Sequence, residues 1–156
     1  ENWIWTTSES KNGDLWVATQ NKGLNRMDPN TGKAKHYRHN PYDSTSISSD
    51  ETYLAFEASN GDLWLSTSLG LNRMKAGEDG IFKRFFHNSE DLNSLTTNYL
   101  NWISEDEKHQ IWVSSSNGIN RIDPNTEQIT RFLYSPNYSR QQYYWALFSR
   151  CQSLQA

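Results

Sequence analysis

Short segments of alternating apolar and polar residues recur along this chain with a fixed period. Trp16, Trp64 and Trp112 each lie between two aliphatic residues, and 48 residues separate each tryptophan from the next. A Gly-x-Asn-Arg segment follows each tryptophan, and an aromatic residue then closes each repeat. A period of this length is typical of proteins that use one supersecondary unit several times.

Within one repeat, the alternation predicts four short strands separated by turn residues. In the middle repeat these strands cover residues 52–57, 62–67, 71–75 and 82–87. Helical repeats are excluded, because no segment of helical length has a 3.6-residue period and Gly, Asn, Asp and Pro interrupt the chain at short intervals. The sequence therefore predicts an all-β protein with about three four-stranded antiparallel β-propeller blades.

The turn between the first two strands contains Asn12-Gly13 in the first repeat and Asn60-Gly61 in the second. Asn-Gly favours a two-residue hairpin, because both central positions take positive φ. The third repeat has Lys108-His109-Gln110 instead. We therefore expect its turn to be looser or of another type.

The period also sets the expected boundaries of the blades. We expect the first blade over residues 1–45, the second over 46–93 and the third over 94–135. The period breaks after that, so residues 136–156 are expected to begin a further blade or to form an irregular terminus. Three blades do not close a ring, and their open faces would expose apolar surface. We expect either a fragment of a larger propeller or a chain that self-associates to cover those faces.

Composition excludes several classes of partner. The formal net charge is −3 with no clustered basic face, so nucleic acid is not an expected partner. No apolar run is long enough to span a membrane, so no membrane contact is expected within this segment. The single cysteine excludes an internal disulfide, and the four histidines do not form a spaced metal pair. No metal and no cofactor are predicted.

The repeated motifs resemble a known family. The pattern Asn-Gly-Asp-Leu-Trp-Val-Ala-Thr is followed by Gly-Leu-Asn-Arg-Met-Asp-Pro-Asn-Thr-Gly, then by a Ser-x-Ser segment and a strand that ends in Glu. This order is similar to the two-component regulator propeller repeat, over roughly residues 1–134. The resemblance implies a β-propeller from the sensor region of a bacterial membrane protein, commonly a hybrid histidine kinase or a diguanylate cyclase. It also implies a periplasmic location.

Residues that repeat at identical blade positions are interpreted as structural. The tryptophans are expected to pack between neighbouring sheets, with sugar stacking as the alternative. Glu9, Glu57 and Glu105 are expected to hydrogen-bond to the next hairpin, because a glycosidase needs two carboxylates that face one sugar. The arginines of the Gly-x-Asn-Arg segments are expected to reach nearby carbonyls or carboxylates.

Residues that differ between repeats are better candidates for ligand contact, because a binding site must break the symmetry of its scaffold. In propellers the first strand of each blade lines the central channel, and the loops around the channel form a recognition face. The candidates on the first strands are Tyr53, Tyr99, Asn101 and Trp102, and those in a loop between the second and third strands are Gln20, Asn21 and Lys22.

The leading hypothesis is a non-catalytic sensory module that recognises a carbohydrate or another small molecule. The first alternative is a scaffold for dimerisation or protein contact. The second is a glycan-cleaving propeller enzyme. For that alternative, residues 10–16 are similar to a sialidase box, but the segment is one residue shorter and its glycine is displaced.

Overall fold

The computed structural model describes residues 3–133 of the 156-residue chain. These residues form three four-stranded antiparallel sheets, each with its strands in chain order. The prediction of an all-β protein with three propeller blades is confirmed. The expectation for residues 136–156 lies outside the described residues.

The strands of the three blades have closely matching bounds. Blade 1 contains β1 (Ile4–Glu9), β2 (Leu15–Thr19), β3 (Leu24–Met27) and β4 (Ala34–Tyr37). Blade 2 contains β5 (Thr52–Glu57), β6 (Leu63–Thr67), β7 (Gly70–Met74) and β8 (Phe82–Phe85). Blade 3 contains β9 (Leu100–Glu105), β10 (Ile111–Ser115), β11 (Gly118–Ile122) and β12 (Ile129–Leu133). The four strands predicted for the middle repeat are therefore observed, with small differences at their ends.

The first hairpin of each blade differs from the sequence prediction. In blade 1 the N–H of Ser10 donates to the carbonyl of Asp14 (2.8 Å), and the N–H of Gly13 donates to the carbonyl of Ser10 (2.9 Å). Gly13 has φ 88°, whereas Asn12 is not in the left-handed region. The loop is thus a longer hairpin with one left-handed residue, and the prediction of a two-residue turn was wrong.

The third hairpin has the same geometry as the other two, so the prediction of a looser or different turn was also wrong. The N–H of Asp106 donates to the carbonyl of Gln110 (3.0 Å), and the N–H of His109 donates to the carbonyl of Asp106 (2.9 Å). His109 takes the left-handed position with φ 59°. The hydrogen bonds of the hairpin hold a non-glycine residue in a conformation that glycine adopts more easily.

The hydrophobic core lies between the sheets. Trp16, Leu24 and Tyr37 of blade 1 pack against aliphatic side chains of blade 2 that include Leu63 and Leu65. The same arrangement recurs between blades 2 and 3 in the cluster centred on Trp64, which is completely buried. At both described interfaces, the earlier blade thus contributes a tryptophan-centred face and the later blade a mainly aliphatic one, as expected for the packing of neighbouring sheets.

The asparagine of the Gly-x-Asn-Arg segment holds the connection between blades. Asn72 Oδ1 accepts a hydrogen bond from the N–H of Ser48 (2.8 Å), and Asn120 Oδ1 accepts one from the N–H of Thr96 (2.8 Å). The neighbouring Ile47 and Leu95 are fully buried. The repeated connection is thus fixed to the blade that follows it by one buried amide and one apolar side chain.

The glutamates at the ends of the inner strands bind the preceding blade rather than the next hairpin, which corrects the sequence expectation. Glu57 accepts hydrogen bonds from Trp16 Nε1 (3.1 Å) and from the N–H of Lys11 (3.3 Å). Glu105 accepts one from the N–H of Ser59 (2.6 Å). The reason is geometric, because the inner strand of each blade lies beside the first hairpin of the blade before it.

The repeated arginines stack on the repeated tryptophans. The guanidinium of Arg73 lies 5.2 Å from the ring centroid of Trp64 and forms an ion pair with Asp62. Both charged side chains are almost fully buried, with 6% and 5% of their surface exposed. Burial alone would raise the pKa of Asp62, but the N–H of Ala76 and the guanidinium of Arg73 hold that pKa below its ordinary value. The corresponding pair in blade 1, Arg26 with Asp14, is 31% and 24% exposed.

We expect the substitution Asp62→Asn to lower the free energy of unfolding by about 3 kcal/mol, because it leaves the Arg73 guanidinium buried without its counter-charge. The matched change Asp14→Asn should cost about 1 kcal/mol or less, because water reaches the Arg26 pair. Urea unfolding of both variants checks this. Equal losses would contradict the assignment of different environments to the two pairs.

We also expect Gly70→Ala to destabilise the protein by about 2 to 4 kcal/mol, through both left-handed strain and a steric clash. Gly70 has φ +96°, and an added Cβ would lie 2.5 Å from the carbonyl oxygen of Phe85. Gly13→Ala is the control, because Gly13 has φ +88° with nothing within 4 Å of an added Cβ. Its cost should be the strain alone, about 1 kcal/mol, and a loss as large as that of Gly70→Ala would argue against the close approach.

Candidate functional site

The inner strands β1, β5 and β9 lie side by side at the edges of the three sheets. Hydrogen bonds join the first two directly, because Thr6 Oγ1 donates to the carbonyl of Tyr53 (2.7 Å) and Ser8 Oγ donates to the carbonyl of Ala55 (2.8 Å). These bonds fix the position of β1 relative to β5. Side chains at the start of the inner strands therefore have defined neighbours in the adjacent blade.

Each inner strand contains a β-bulge at the same position. In β1 the pairing with β2 skips Trp5, in β5 the pairing with β6 skips Tyr53, and in β9 the pairing with β10 skips Asn101. A bulged residue leaves the ladder, so its side chain is aimed differently from those of its neighbours, and bulges are common beside functional sites. The three bulges carry three different residues, which breaks the symmetry of the repeat.

Aromatic side chains form a row along the starts of the inner strands. The rings of Trp5 and Tyr53 meet edge to face, with centroids 6.2 Å apart. Burial raises the pKa of Tyr53, and the Glu51 carboxylate and the Tyr99 hydroxyl raise that pKa further. Trp3 and Tyr99 are 60% and 67% exposed, and Trp5 is 49% exposed. We call Trp3, Trp5, Tyr53 and Tyr99 the inner aromatic row.

The predicted loop residues Gln20, Asn21 and Lys22 lie at the same end of blade 1. The N–H of Gln20 donates to the carbonyl of Trp3 (3.0 Å), which places the loop directly beside the inner aromatic row. The carbonyl of Asn21 accepts a hydrogen bond from Arg38 (3.3 Å), and the N–H of Lys22 donates to Thr19 Oγ1 (3.0 Å). The backbone of this loop is thus held in place beside the start of β1.

The structure separates Trp102 from the other predicted site residues. Trp102 occupies the position in β9 that Thr6 occupies in β1 and Leu54 in β5. Thr6 reaches the following blade, and Leu54 packs into the core between blades 2 and 3. Trp102 accordingly lies on the face of blade 3 that no other described sheet covers, with 61% of its surface exposed.

Sequence reasoning selected Tyr53, Tyr99 and Asn101 as candidates but did not select Trp3 and Trp5. These tryptophans stand 48 residues before Glu51 and Tyr53, so the repeat period was the signal that could have found them. Within residues 3–133, no group of three or more metal-binding side chains is present. In the same range, no helix has the length and apolarity needed to cross a membrane.

Comparison with known proteins supports the fold. No protein-family model matches the chain, and no curated protein matches it. Among solved structures, it is similar to the extracellular domain of BT3049, described as a hybrid two-component system of B. thetaiotaomicron, with 27% identity and a TM-score of 0.72. The match covers 84% of this chain but only 18% of that protein.

A second solved structure shows the same fold at lower identity. A catalytically inactive virginiamycin B lyase from Staphylococcus aureus is 21% identical, with a TM-score of 0.62. The match covers 86% of this chain and 42% of the lyase. The chain therefore spans well under two thirds of either protein.

The effect of the Glu51 carboxylate on the pKa of Tyr53 gives a test of the row. We expect Glu51→Gln to lower the pKa of Tyr53 toward 10.0, the ordinary value for tyrosine, because the substitution removes the negative charge that opposes ionisation of the phenol. Spectrophotometric titration of the phenolate band measures this, and a Tyr53→Phe variant identifies which phenol has moved. An unchanged titration curve would place Glu51 away from Tyr53.

Proposed function

We propose that this chain is a ligand-sensing, non-catalytic part of an extracytoplasmic bacterial sensor, from a two-component or cyclic-dinucleotide signalling system. We propose further that the inner aromatic row contacts the ligand, a carbohydrate or another small molecule. The similarity to the extracellular domain of a two-component system supports the class of protein and its periplasmic location.

The observation that carries the proposal is the symmetry-breaking row of aromatics at the starts of the bulged inner strands, of which Trp3, Trp5 and Tyr99 are exposed. Exposed aromatic groups that lie next to one another are uncommon on soluble proteins and mark binding surfaces. Trp and Tyr offer a large rigid contact area at a small cost in conformational entropy, and their polar atoms orient a ligand. Asn101, at the bulge of β9, and Gln20, in the loop bonded to Trp3, bring amide groups to the same end of the blades.

The carboxylates of the inner strands have structural roles instead of catalytic ones. Glu57 accepts bonds from Trp16 and from the Lys11 backbone, and Glu105 accepts a bond from the Ser59 backbone. A glycoside hydrolase needs two carboxylates that face one sugar from opposite sides. The arrangement of Glu57 and Glu105 supports binding rather than cleavage.

The open face of blade 3 favours protein contact as a second candidate function. Phe132 stacks on Trp112 with centroids 5.6 Å apart, and Arg121 lies 6.0 Å from the Trp112 centroid. Trp102, on the same face of the sheet, extends this apolar surface. Further blades, a second copy of the chain or another protein would bury it in the way that blade 3 buries the equivalent face of blade 2.

Calorimetric titration with a panel of neutral and acidic oligosaccharides tests the proposal. For any glycan that binds, we expect Trp5→Ala and Tyr99→Ala to weaken binding at least about tenfold, equivalent to about 1.4 kcal/mol each, because each removes an aromatic contact. Trp102→Ala is the control and should leave the affinity unchanged.

Two results would count against ligand sensing by the row. One is the absence of binding to every oligosaccharide of the panel. The other is a loss of affinity in Trp102→Ala with none in Trp5→Ala. A concentration-dependent dimer that Trp102→Ala dissociates would favour the second candidate function.

A further inference from the structure

A cleft of about 290 Å³ lies between blades 1 and 2, away from the starts of the inner strands. Blade 1 contributes Lys11, from its first hairpin, and Arg26, from β3. Blade 2 contributes Glu57 and the loop between β7 and β8, which includes Lys75 and Asp79. The volume is at the lower end of small-molecule sites and suits a molecule about as large as a monosaccharide.

The equivalent space between blades 2 and 3 is bridged by a side chain. Arg73 Nη1 reaches across to the carbonyl of Pro124 (2.6 Å) and approaches Glu127 (3.4 Å). Arg26 is the counterpart of Arg73, and its Nε donates to Asp14 of its own blade (2.7 Å). Within residues 3–133, no hydrogen bond joins Arg26 to blade 2. The arginine thus closes this space at one interface and leaves it open at the other, although Lys35 joins Asp79 across blades 1 and 2 as Lys83 joins Glu127 across blades 2 and 3.

The loop between β7 and β8 explains the difference. Blades 1 and 3 carry the Asp-Pro-Asn-Thr turn here, whereas blade 2 carries Lys75-Ala76-Gly77-Glu78-Asp79-Gly80. The small Ala76 and Gly77 replace the bulkier Pro-Asn segment and line the cleft. The irregular loop thus creates the open space, and it does so only at this interface among those described.

The same departures from the repeat change the charge of the cleft. Lys11 and Lys75 stand where the closed interface has Ser59 and Asp123. Together with Arg26 they line the open space with three cationic side chains. Lys11 Nζ donates to the Ser59 carbonyl and Arg26 Nε to Asp14, so Lys75 is the one whose ammonium group has no hydrogen bond within residues 3–133. A carboxylate bound between a guanidinium and an ammonium group gains charge-assisted hydrogen bonds.

The two carboxylates of the cleft are already oriented as acceptors. Glu57 is held by Trp16 Nε1, and Asp79 accepts hydrogen bonds from Tyr37 Oη (2.6 Å) and Lys35 Nζ (2.7 Å). Hydrogen bonds from Lys35 and Tyr37 hold the pKa of Asp79 below its ordinary value, so it stays ionised. Each carboxylate retains lone pairs for hydroxyl donors of a ligand.

We infer that the cleft between blades 1 and 2 is a binding site for a small hydroxylated carboxylate, such as a sugar acid. Its carboxylate lies between Arg26 and Lys75, and its hydroxyl groups donate to Glu57 and Asp79. The bound molecule thereby connects blades 1 and 2, as the Arg73 side chain connects blades 2 and 3. This site is separate from the inner aromatic row and does not depend on the role proposed for that row.

Calorimetric titration of the chain with glucuronate, glucose and acetate tests the inference. Glucuronate should bind, glucose should bind at least about tenfold more weakly because it lacks the carboxylate, and acetate at least about tenfold more weakly because it lacks the hydroxyl groups. The variant Lys75→Asp, which introduces the residue that blade 3 has at this position, should weaken glucuronate binding at least tenfold. The matched control Lys33→Asp makes the same charge change on an exposed blade 1 loop outside the cleft and should leave binding unchanged.

A second variant, Ala76→Trp, fills the cleft without changing its charge and should also abolish glucuronate binding. Thermal unfolding of each variant shows whether it is folded at the temperature of the titration. The inference is overturned if the chain does not bind glucuronate, if folded Lys75→Asp and Ala76→Trp bind it normally, or if acetate binds as tightly as glucuronate. Equal loss in Lys33→Asp would show that only the net charge matters and would overturn it as well.

Discussion

The burial of an aromatic sheet face against the aliphatic face of the next sheet is the interaction on which this structure depends. A single four-stranded blade has apolar residues on both faces and cannot cover them alone. Trp64 illustrates the result, because it is fully buried between blades while its own indole also supports the Arg73 guanidinium. The same packing holds β1, β5 and β9 side by side, so the inner aromatic row takes its geometry from the core.

The blades could be predicted because the residues that are buried between blades recur at a fixed interval in the sequence. The alternation of apolar and polar residues fixed the four strands of the middle repeat, and the tryptophan period fixed the number of blades. The hairpin type could not be predicted from Asn12-Gly13, because the dipeptide does not reveal where the flanking strands stop pairing. The sequence also could not show whether the glutamates bind the preceding or the following blade, because the repeat pattern is the same in both cases.

For a related reason, the sequence analysis selected only some of the residues that lie at the starts of the inner strands. Non-repeating residues pointed to Tyr53 and Asn101, but strict alternation cannot show a bulge, and it is the bulge that releases these side chains from the ladder. Trp102 follows the bulge of β9, so its side chain lies on the interface side of the strand. The cleft between blades 1 and 2 depends on a comparison of two interfaces in three dimensions, which the sequence does not provide.

The bulges at Trp5, Tyr53 and Asn101 determine which positions of the blade can be substituted during evolution. A residue outside the ladder contributes little to strand register, so its exchange leaves the pairing of the flanking residues intact. Tryptophan, tyrosine and asparagine already share the position within one chain. The blade thus separates the residues that make it fold from a position that is free to diverge, and a library randomised at these three positions would keep the framework unchanged.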